Sequence, residues 1–307
     1  MQNKIFTNPI IVVLAALLCT ALWGSATPFI KTGYESLSVS GTPSIILFAG
    51  IRFALAGLIT VIIYSIIERK FLLPKKKSLK YIGIISVFQT ILQYIFFYVG
   101  LANTSGVKGT ILSGSSAFFS ILVATLIFRQ EKLTVKKVIA CIIGFLGIIV
   151  VNLDGLEFNL NFLGDTFVLF AGISLAFSSV LMKIYSKDES PVILSGYQFF
   201  IGGIVMILIG LAFGGTIRFD SAKGIAILIY LAFLSAIAYA VWGILLKYNP
   251  VSKVSVFSFM TPVFGVILSK IMLSENSNVS IINVLVALCL ISGGIFMLNY
   301  EKKNKKI

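Results

Sequence analysis

Residues 93–108 read QYIFFYVGLANTSGVK, and residues 238–253 read AYAVWGILLKYNPVSK. Laid one over the other, they place Tyr94 on Tyr239, Phe97 on Trp242, Leu101 on Leu246 and Lys108 on Lys253, all at a separation of 145. The register continues through Ser116 on Thr261 and Phe119 on Phe264, and a shift of one residue brings Glu131 onto Glu275. Upstream, Arg52, Phe53 and Gly57 fall on Gln198, Phe199 and Gly203, while Ala26, Thr27 and Lys31 fall on Ser178, Ser179 and Lys183. Near the end of each copy, Gly147 and Asn152 fall on Gly294 and Asn299. Any one such pair between apolar segments is weak, but their order and nearly constant offset point to an internal duplication.

The duplicated unit is a set of five apolar runs. A hydrocarbon core of about 30 Å needs ~20 apolar residues per crossing, and the chain offers stretches at 10–30, 44–67, 81–101, 105–128, 138–151, 163–185, 191–213, 224–246, 251–273 and 281–299, the fifth being short. With 58% hydrophobic residues and a mean hydropathy of +1.03, no soluble fold of this length is expected. The predicted fold is an all-α membrane protein with ten transmembrane helices in two five-helix repeats, 1–152 and 153–307. Because five is odd, the second repeat is expected to be inverted in the bilayer.

The net charge of +14 is organised by topology. Nineteen of the 25 Lys and Arg residues fall on the side shared by the N-terminus, the even-numbered loops and the C-terminus. Only Lys31, Lys108, Arg218, Lys223 and Lys270 fall on the other. This asymmetry predicts cytoplasmic termini and a basic surface that meets anionic lipid rather than nucleic acid. A lysine precedes the first span as in a signal peptide, but residues 23–31 carry the helix onward, so it is read as an uncleaved first helix. Cys19, Cys141 and Cys289 all lie in spans, where they act as small packing residues; no disulfide framework or metal-ligand spacing exists.

Four motifs in their respective spans resemble the EamA family of the drug/metabolite transporter superfamily: LWGSATPFIK at 22–31, GIRFALAG at 50–57, IFRQEKLT at 127–134 and TPVFGVILSKIMLSE at 261–275. The resemblance covers nearly the whole chain. It departs at Ala117, where the family's fourth span usually has proline, and at Ser274, where glycine usually precedes the glutamate. The resemblance implies ten helices in two inverted repeats, a substrate cavity among the first, third, fourth, sixth, eighth and ninth helices, and export of a small metabolite across the bacterial cytoplasmic membrane by alternating access. It does not name the cargo, which is expected to be neutral or zwitterionic and amino-acid-like; related branches carry nucleotide sugars and other solutes. A non-transporting receptor or assembly subunit on the same fold is the alternative. No cofactor is expected, and the chain is expected to be a monomer or a homodimer.

Within that frame the residues divide by chemistry. Arg52 is the only basic residue deep inside a span, where a charge is expensive enough to face protein or a watery cavity; it serves either a substrate carboxylate or gate, or a structural partner. Gln89 and Gln93, four apart on the third helix, share a face and are read as substrate contacts or as glue between helices. Trp23, Tyr239 and Trp242 are read as cavity walls, with Tyr94 and Ser25 beside them. Ser113, Ser115, Ser116 and Ser120 on the fourth span and Ser255, Ser258 and Thr261 on the ninth form matching polar stripes that suggest a hydrated seam, and Ser179 on the sixth is a further candidate contact. Pro28 and Pro262 interrupt their helices, at a hinge or at a packing kink. Glu131 and Glu275 end their helices at opposite faces, where the helix dipole disfavours a carboxylate, so each is expected to have a partner and to act as clasp or gate. Gly144, Gly147, Gly293 and Gly294 suit close helix packing or an external dimer face.

The chain has no histidine, no carboxylate in the middle of any span and no Gly-rich loop ending in Lys and Ser or Thr. Catalytic residues, metal ligands and ATP-driven pumping are therefore not expected, and the chain is not read as an enzyme.

Overall fold

A computed structural model describes residues 5–104, 106–153, 161–272 and 280–299. A segment in hydrocarbon must satisfy its own backbone polar groups, and these residues do so as ten helices. They are α1 (Pro9–Ser36), α2 (Gly41–Ile67), α3 (Ser78–Ala102), α4 (Lys108–Ile127), α5 (Val135–Val151), α6 (Phe162–Tyr185), α7 (Pro191–Ala212), α8 (Ala222–Tyr248), α9 (Val251–Ser255, Val256–Phe259 and Met260–Met272 in succession) and α10 (Ile281–Asn299). Nine contain an apolar run long enough to cross a bilayer, and α5, at 17 residues, is the short one.

Side-chain caps start several of them. Asn8 Oδ1 accepts from Ile10 N–H ahead of Pro9, Asn161 Oδ1 from Gly164 N–H, and Ser221 Oγ from Gly224 N–H, each satisfying a donor with no partner inside the helix. Non-glycine residues with positive φ, Ser38, Arg69 and Arg129, follow α1, α2 and α4.

Loop contacts sort the connections to alternate ends. At one end Lys75 N–H donates to Glu189, Tyr197 Oη donates to the Leu72 carbonyl, and Asn249 Nδ2 donates to the Phe6 carbonyl. At the other, Arg218 N–H donates to the Leu37 carbonyl, and Thr104 Oγ1 to Asp165. The chain therefore enters α1 from the first end, rich in basic loops, and α6 from the second.

Packing between halves follows a pattern that survives their exchange. α1 packs on α8 and α9 while α6 packs on α3 and α4; α2 packs on α7, and α5 on α10. The α2–α7 seam is the tightest. Gly50 and Gly57 on α2, with Gly196, Gly203 and Gly210 on α7, recur at sevens, the period of a left-handed crossing. A Cβ on Gly57 would lie 2.4 Å from Phe200 N, and one on Gly203 2.3 Å from Ala54 N. The two backbones touch, which only glycine permits. On the α5–α10 seam Gly147 meets Ile291 and Gly294 meets the Ala140 carbonyl, whereas Gly293 has nothing within 4 Å.

The helices are not interrupted where proline stands. α1 runs unbroken through Pro28; a proline forfeits one backbone bond, a loss that tightly packed membrane helices tolerate. Pro262 lies in the first turn of the last α9 segment, where its missing N–H would have no partner within that segment. The irregular turns are π-helix at Ser86–Leu92 in α3 and at Val123–Ile127 in α4, away from any proline, and a 3₁₀ turn at Val256–Phe259 in α9, which contains the residue four before Pro262. Single π turns of this kind concentrate at functional sites.

Candidate functional site

One narrow cavity lies between the halves, lined from α1, α3, α4, α6, α8 and α9, the same six helices that the resemblance implies. Its aromatic wall is Trp23, Tyr239 and Trp242. The Trp23 ring centre lies 5.0 Å from Tyr239 and 4.9 Å from Trp242 in tilted and edge-on geometries, which suits the ring quadrupoles. Gln89, Ser116, Ser120, Ser179, Ser255 and Ser258 line the polar side, and Leu175, Met182, Gly243 and Leu246 complete it. The cavity is constricted: about 30 Å³ is open to the centres of water-sized molecules. No lining residue carries a charge.

Gln89 reaches the cavity through the π turn that contains it. Its amide makes no hydrogen bond to another described residue. Gln93, four residues on, does not line the cavity but stands beside Tyr239, its Oε1 buried without a partner.

Of the other expected residues, Trp23, Ser116, Ser179, Tyr239, Trp242 and Ser258 line the cavity. Ser25 does not; its hydroxyl contacts the Leu22 carbonyl at 2.7 Å and Tyr230 Oη at 2.9 Å. Ser113 donates to the Gly109 carbonyl within its own helix, the self-satisfied state open to any helical serine. Thr261 Oγ1 and Trp23 Nε1 are buried without hydrogen-bond partners. The lining leucines and the methionine carry no mark in the sequence, since they sit in helices that are apolar all round. Ser120 and Ser255, also members of the expected serine stripes of α4 and α9, line the cavity too.

Behind the aromatic wall, residues matched by the duplication touch one another. Tyr94 Oη and Tyr239 Oη are 2.7 Å apart. Phe53 and Phe199 stack with ring centres 5.1 Å apart and planes 8° from parallel. Phe53 meets Tyr94 at 4.3 Å, and Phe199 meets Tyr239 at 4.7 Å. Arg52, 4% exposed, donates from Nε and Nη2 to Ser235 Oγ at 3.1 and 2.9 Å. Its counterpart Gln198 accepts from Thr90 Oγ1 at 2.7 Å, and Thr90 is the counterpart of Ser235 at the same separation of 145.

At the basic end, Glu131 joins three elements. Its carboxylate accepts from Lys137 Nζ at 2.8 Å, from the Ser252 hydroxyl and from Ser252 N–H at 3.3 Å. The glutamate that ends α4 thus caps α9 and pairs with α5, at a helix N-terminus where its charge is favourable. Burial pushes its carboxyl up, but Lys137 and Ser252 outweigh this and hold it below the ordinary value of 4.5. Nearby, Lys183 Nζ donates to the Leu246 and Asn249 carbonyls, satisfying groups left open at the end of α8. At the opposite end Lys108 Nζ lies 2.5 Å from Asp165, which also accepts from Thr104. Glu275 lies outside the described residues. Among the described residues no group of His, Cys, Asp and Glu converges as a metal site.

Apolar crossing helices that enclose a shared polar cavity have the build of a multi-pass membrane transporter. The chain belongs to the EamA-like transporter family, which matches residues 10–153 and, a second time, residues 162–300. It is 26% identical over 295 residues to the uncharacterized transporter YvbV of Bacillus subtilis strain 168, covering 93% of this chain and 90% of that one. A chloroplastic WAT1-related protein of Arabidopsis thaliana is 25% identical over 221 residues; the match takes in 68% of this chain and 52%, about half, of the plant protein. A solved crystal structure superposes with a TM-score of 0.76 at 16% identity over 93% of this chain and 97% of its own, which carries the fold.

Proposed function

We propose that this transporter moves a small, amino-acid-like metabolite out of the cell by alternating access, with its two halves inverted in the cytoplasmic membrane and both termini on the cytoplasmic side. The observation that supports this best is the composition of the cavity, to which both halves contribute aromatic rings and hydroxyls and the first half an amide, without any charge. Such a lining takes up an apolar side chain and hydrogen-bonds a compact polar group, whereas a cargo with net charge would find no compensation there. Trp23, Tyr239 and Trp242 supply the apolar contact, and Gln89 with Ser116, Ser179 and Ser258 orients the polar end. Little room is left in this conformation, consistent with a constricted stage of the cycle.

Flux of a labelled amino-acid panel in proteoliposomes tests the reading: saturable transport of at least one member is expected, and none for any member overturns it. An imposed pH gradient separates facilitated diffusion, which it leaves unchanged, from proton exchange.

A further inference from the structure

Arg52 is a charge that the fold does not require. In the second half, the same position on the paired helix is Gln198, fully buried, and it meets the counterpart hydroxyl with the direction of the bond reversed: Thr90 Oγ1 donates to Gln198 Oε1, whereas Arg52 donates to Ser235 Oγ. A neutral amide is thus sufficient to tie the α2/α7 position to its neighbour. Among the described residues no carboxylate pairs with Arg52; it contacts Ser235 and the Phe53 ring, with the guanidinium carbon 5.2 Å from the ring centre, and the Tyr34, Tyr94, Tyr98 and Tyr239 hydroxyls lie within its electrostatic reach. A buried cation with one neutral hydroxyl partner is under-compensated.

The position of this charge relates it to the cavity. Ser235 lies one turn before Tyr239 along α8, so the guanidinium sits about 6 Å along the axis beyond the cavity's aromatic wall. Exchanging the halves carries the lining residues Tyr239 and Gly243 onto Tyr94 and Tyr98, both within electrostatic reach of Arg52. The alternate cavity generated by that exchange therefore lies on the Arg52 side, whereas Arg52 does not line the cavity seen here.

We infer that Arg52 is the anion subsite of the transport pathway and that the cargo carries a carboxylate, read by the guanidinium when the Tyr94–Tyr239 contact opens. This rests on the transporter reading above and narrows its substrate class: the free acid is required, and an amide or a decarboxylated amine is a poor cargo. Guanidinium–carboxylate pairing is directional and often bidentate, and lysine meets it only as a point charge.

The test uses the full chain in proteoliposomes with labelled valine, leucine and phenylalanine, and with the amide and decarboxylated amine of each as competitors. For the wild type, free acids are expected to compete roughly 10- to 100-fold better than their amides, the range of a hydrogen bond to a charged group. Arg52→Gln, the residue of the other half, is expected to keep its elution profile and melting temperature and to lower that ratio to about 1–2, with Arg52→Lys intermediate. Transport of none of the acids by the wild type removes the transporter reading itself. Saturable transport in which acids and amides compete equally, or in which Arg52→Gln keeps the full ratio, leaves that reading standing and overturns the anion subsite. An Arg52→Gln protein that does not fold also overturns it, since the charge would then be structural.

Discussion

Replacing Gly203 by alanine tests the packing that holds the two halves together. The added Cβ would lie 2.3 Å from Ala54 N, 2.7 Å from the Gly50 carbonyl oxygen and 2.8 Å from Ala54 Cα. All three are backbone atoms, so no side-chain rotation relieves the overlap. Ordinary contact lies at 3.4–4 Å, and α2 and α7 must therefore part by about 1 Å. A radial gap of that size forfeits roughly a quarter to a half of each dispersion contact along the seam. Overpacking typically costs about 1–3 kcal/mol, and the rigidity of the obstacle puts this case near 3, or a fall of roughly 5–10 °C in melting temperature. Gly293→Ala is the control, with nothing within 4 Å of the new methyl. Thermal unfolding of both variants in detergent, read by the loss of the monodisperse elution peak, compares them directly. If Gly203→Ala melts with the wild type, or if the two variants melt together, the close α2–α7 contact is not what the helices rely on.

Three further outcomes follow from the site. Glu131→Gln should lower the melting temperature at neutral pH, because it leaves Lys137 and the start of α9 without their anion; breaking such a buried pair costs roughly 3 kcal/mol. Since the carboxyl of Glu131 is held below 4.5 in the folded protein, its contribution is complete above that value and is lost as pH falls through the lowered one. Melting curves of wild type and variant should then converge in acid, and a constant gap down to pH 3 would contradict the assignment. Gln89→Met should reduce flux or cargo-induced stabilisation about tenfold while leaving the melting temperature near wild type, because the amide has no protein partner to lose; unchanged flux removes Gln89 from the pathway. Tyr94→Phe and Tyr239→Phe should each cost about 1 kcal/mol, and the double variant less than their sum, since it strands no hydroxyl; strict additivity would mean that the 2.7 Å contact is incidental.

Much of the architecture was legible because the bilayer leaves few choices. A run of ~20 apolar residues in lipid must be a helix, and a constant offset between runs survives any uncertainty about where each helix ends. The matched pairs Tyr94 with Tyr239 and Phe53 with Phe199 were readable as pairs. That they touch one another depends on how the halves are docked, which the sequence does not state. The cavity's polar residues stood out against an apolar background, whereas Leu175, Met182 and Leu246 could not, because the same residue types face lipid elsewhere. The π turn at Ser86–Leu92 was invisible for a related reason: hydropathy records which residues are apolar, not whether a backbone bond closes i to i+4 or i to i+5. Ser25 was misplaced because its partner Tyr230 lies 205 residues away on α8, outside any local pattern.

The differences between the halves bear on mechanism more than their likeness does. Two identical halves exchanging roles would give two conformations of equal energy and two identical cavities, and a bound cargo would favour neither. Here the counterpart of Gln89 is Leu234, buried at 2% exposure in a stretch of α8 with no π turn, and the counterpart of Arg52 is Gln198. On the alternating-access reading, the cavity formed with Tyr239 presents the Gln89 amide, and the one formed with Tyr94 presents the Arg52 guanidinium. A cargo with one apolar and one anionic end would be held by neutral hydrogen bonds in the first state and by a charged one in the second. Equal affinity for both states shifts no equilibrium however tight the binding. On that reading, it is the inequality at these two positions that would let a bound cargo bias the exchange.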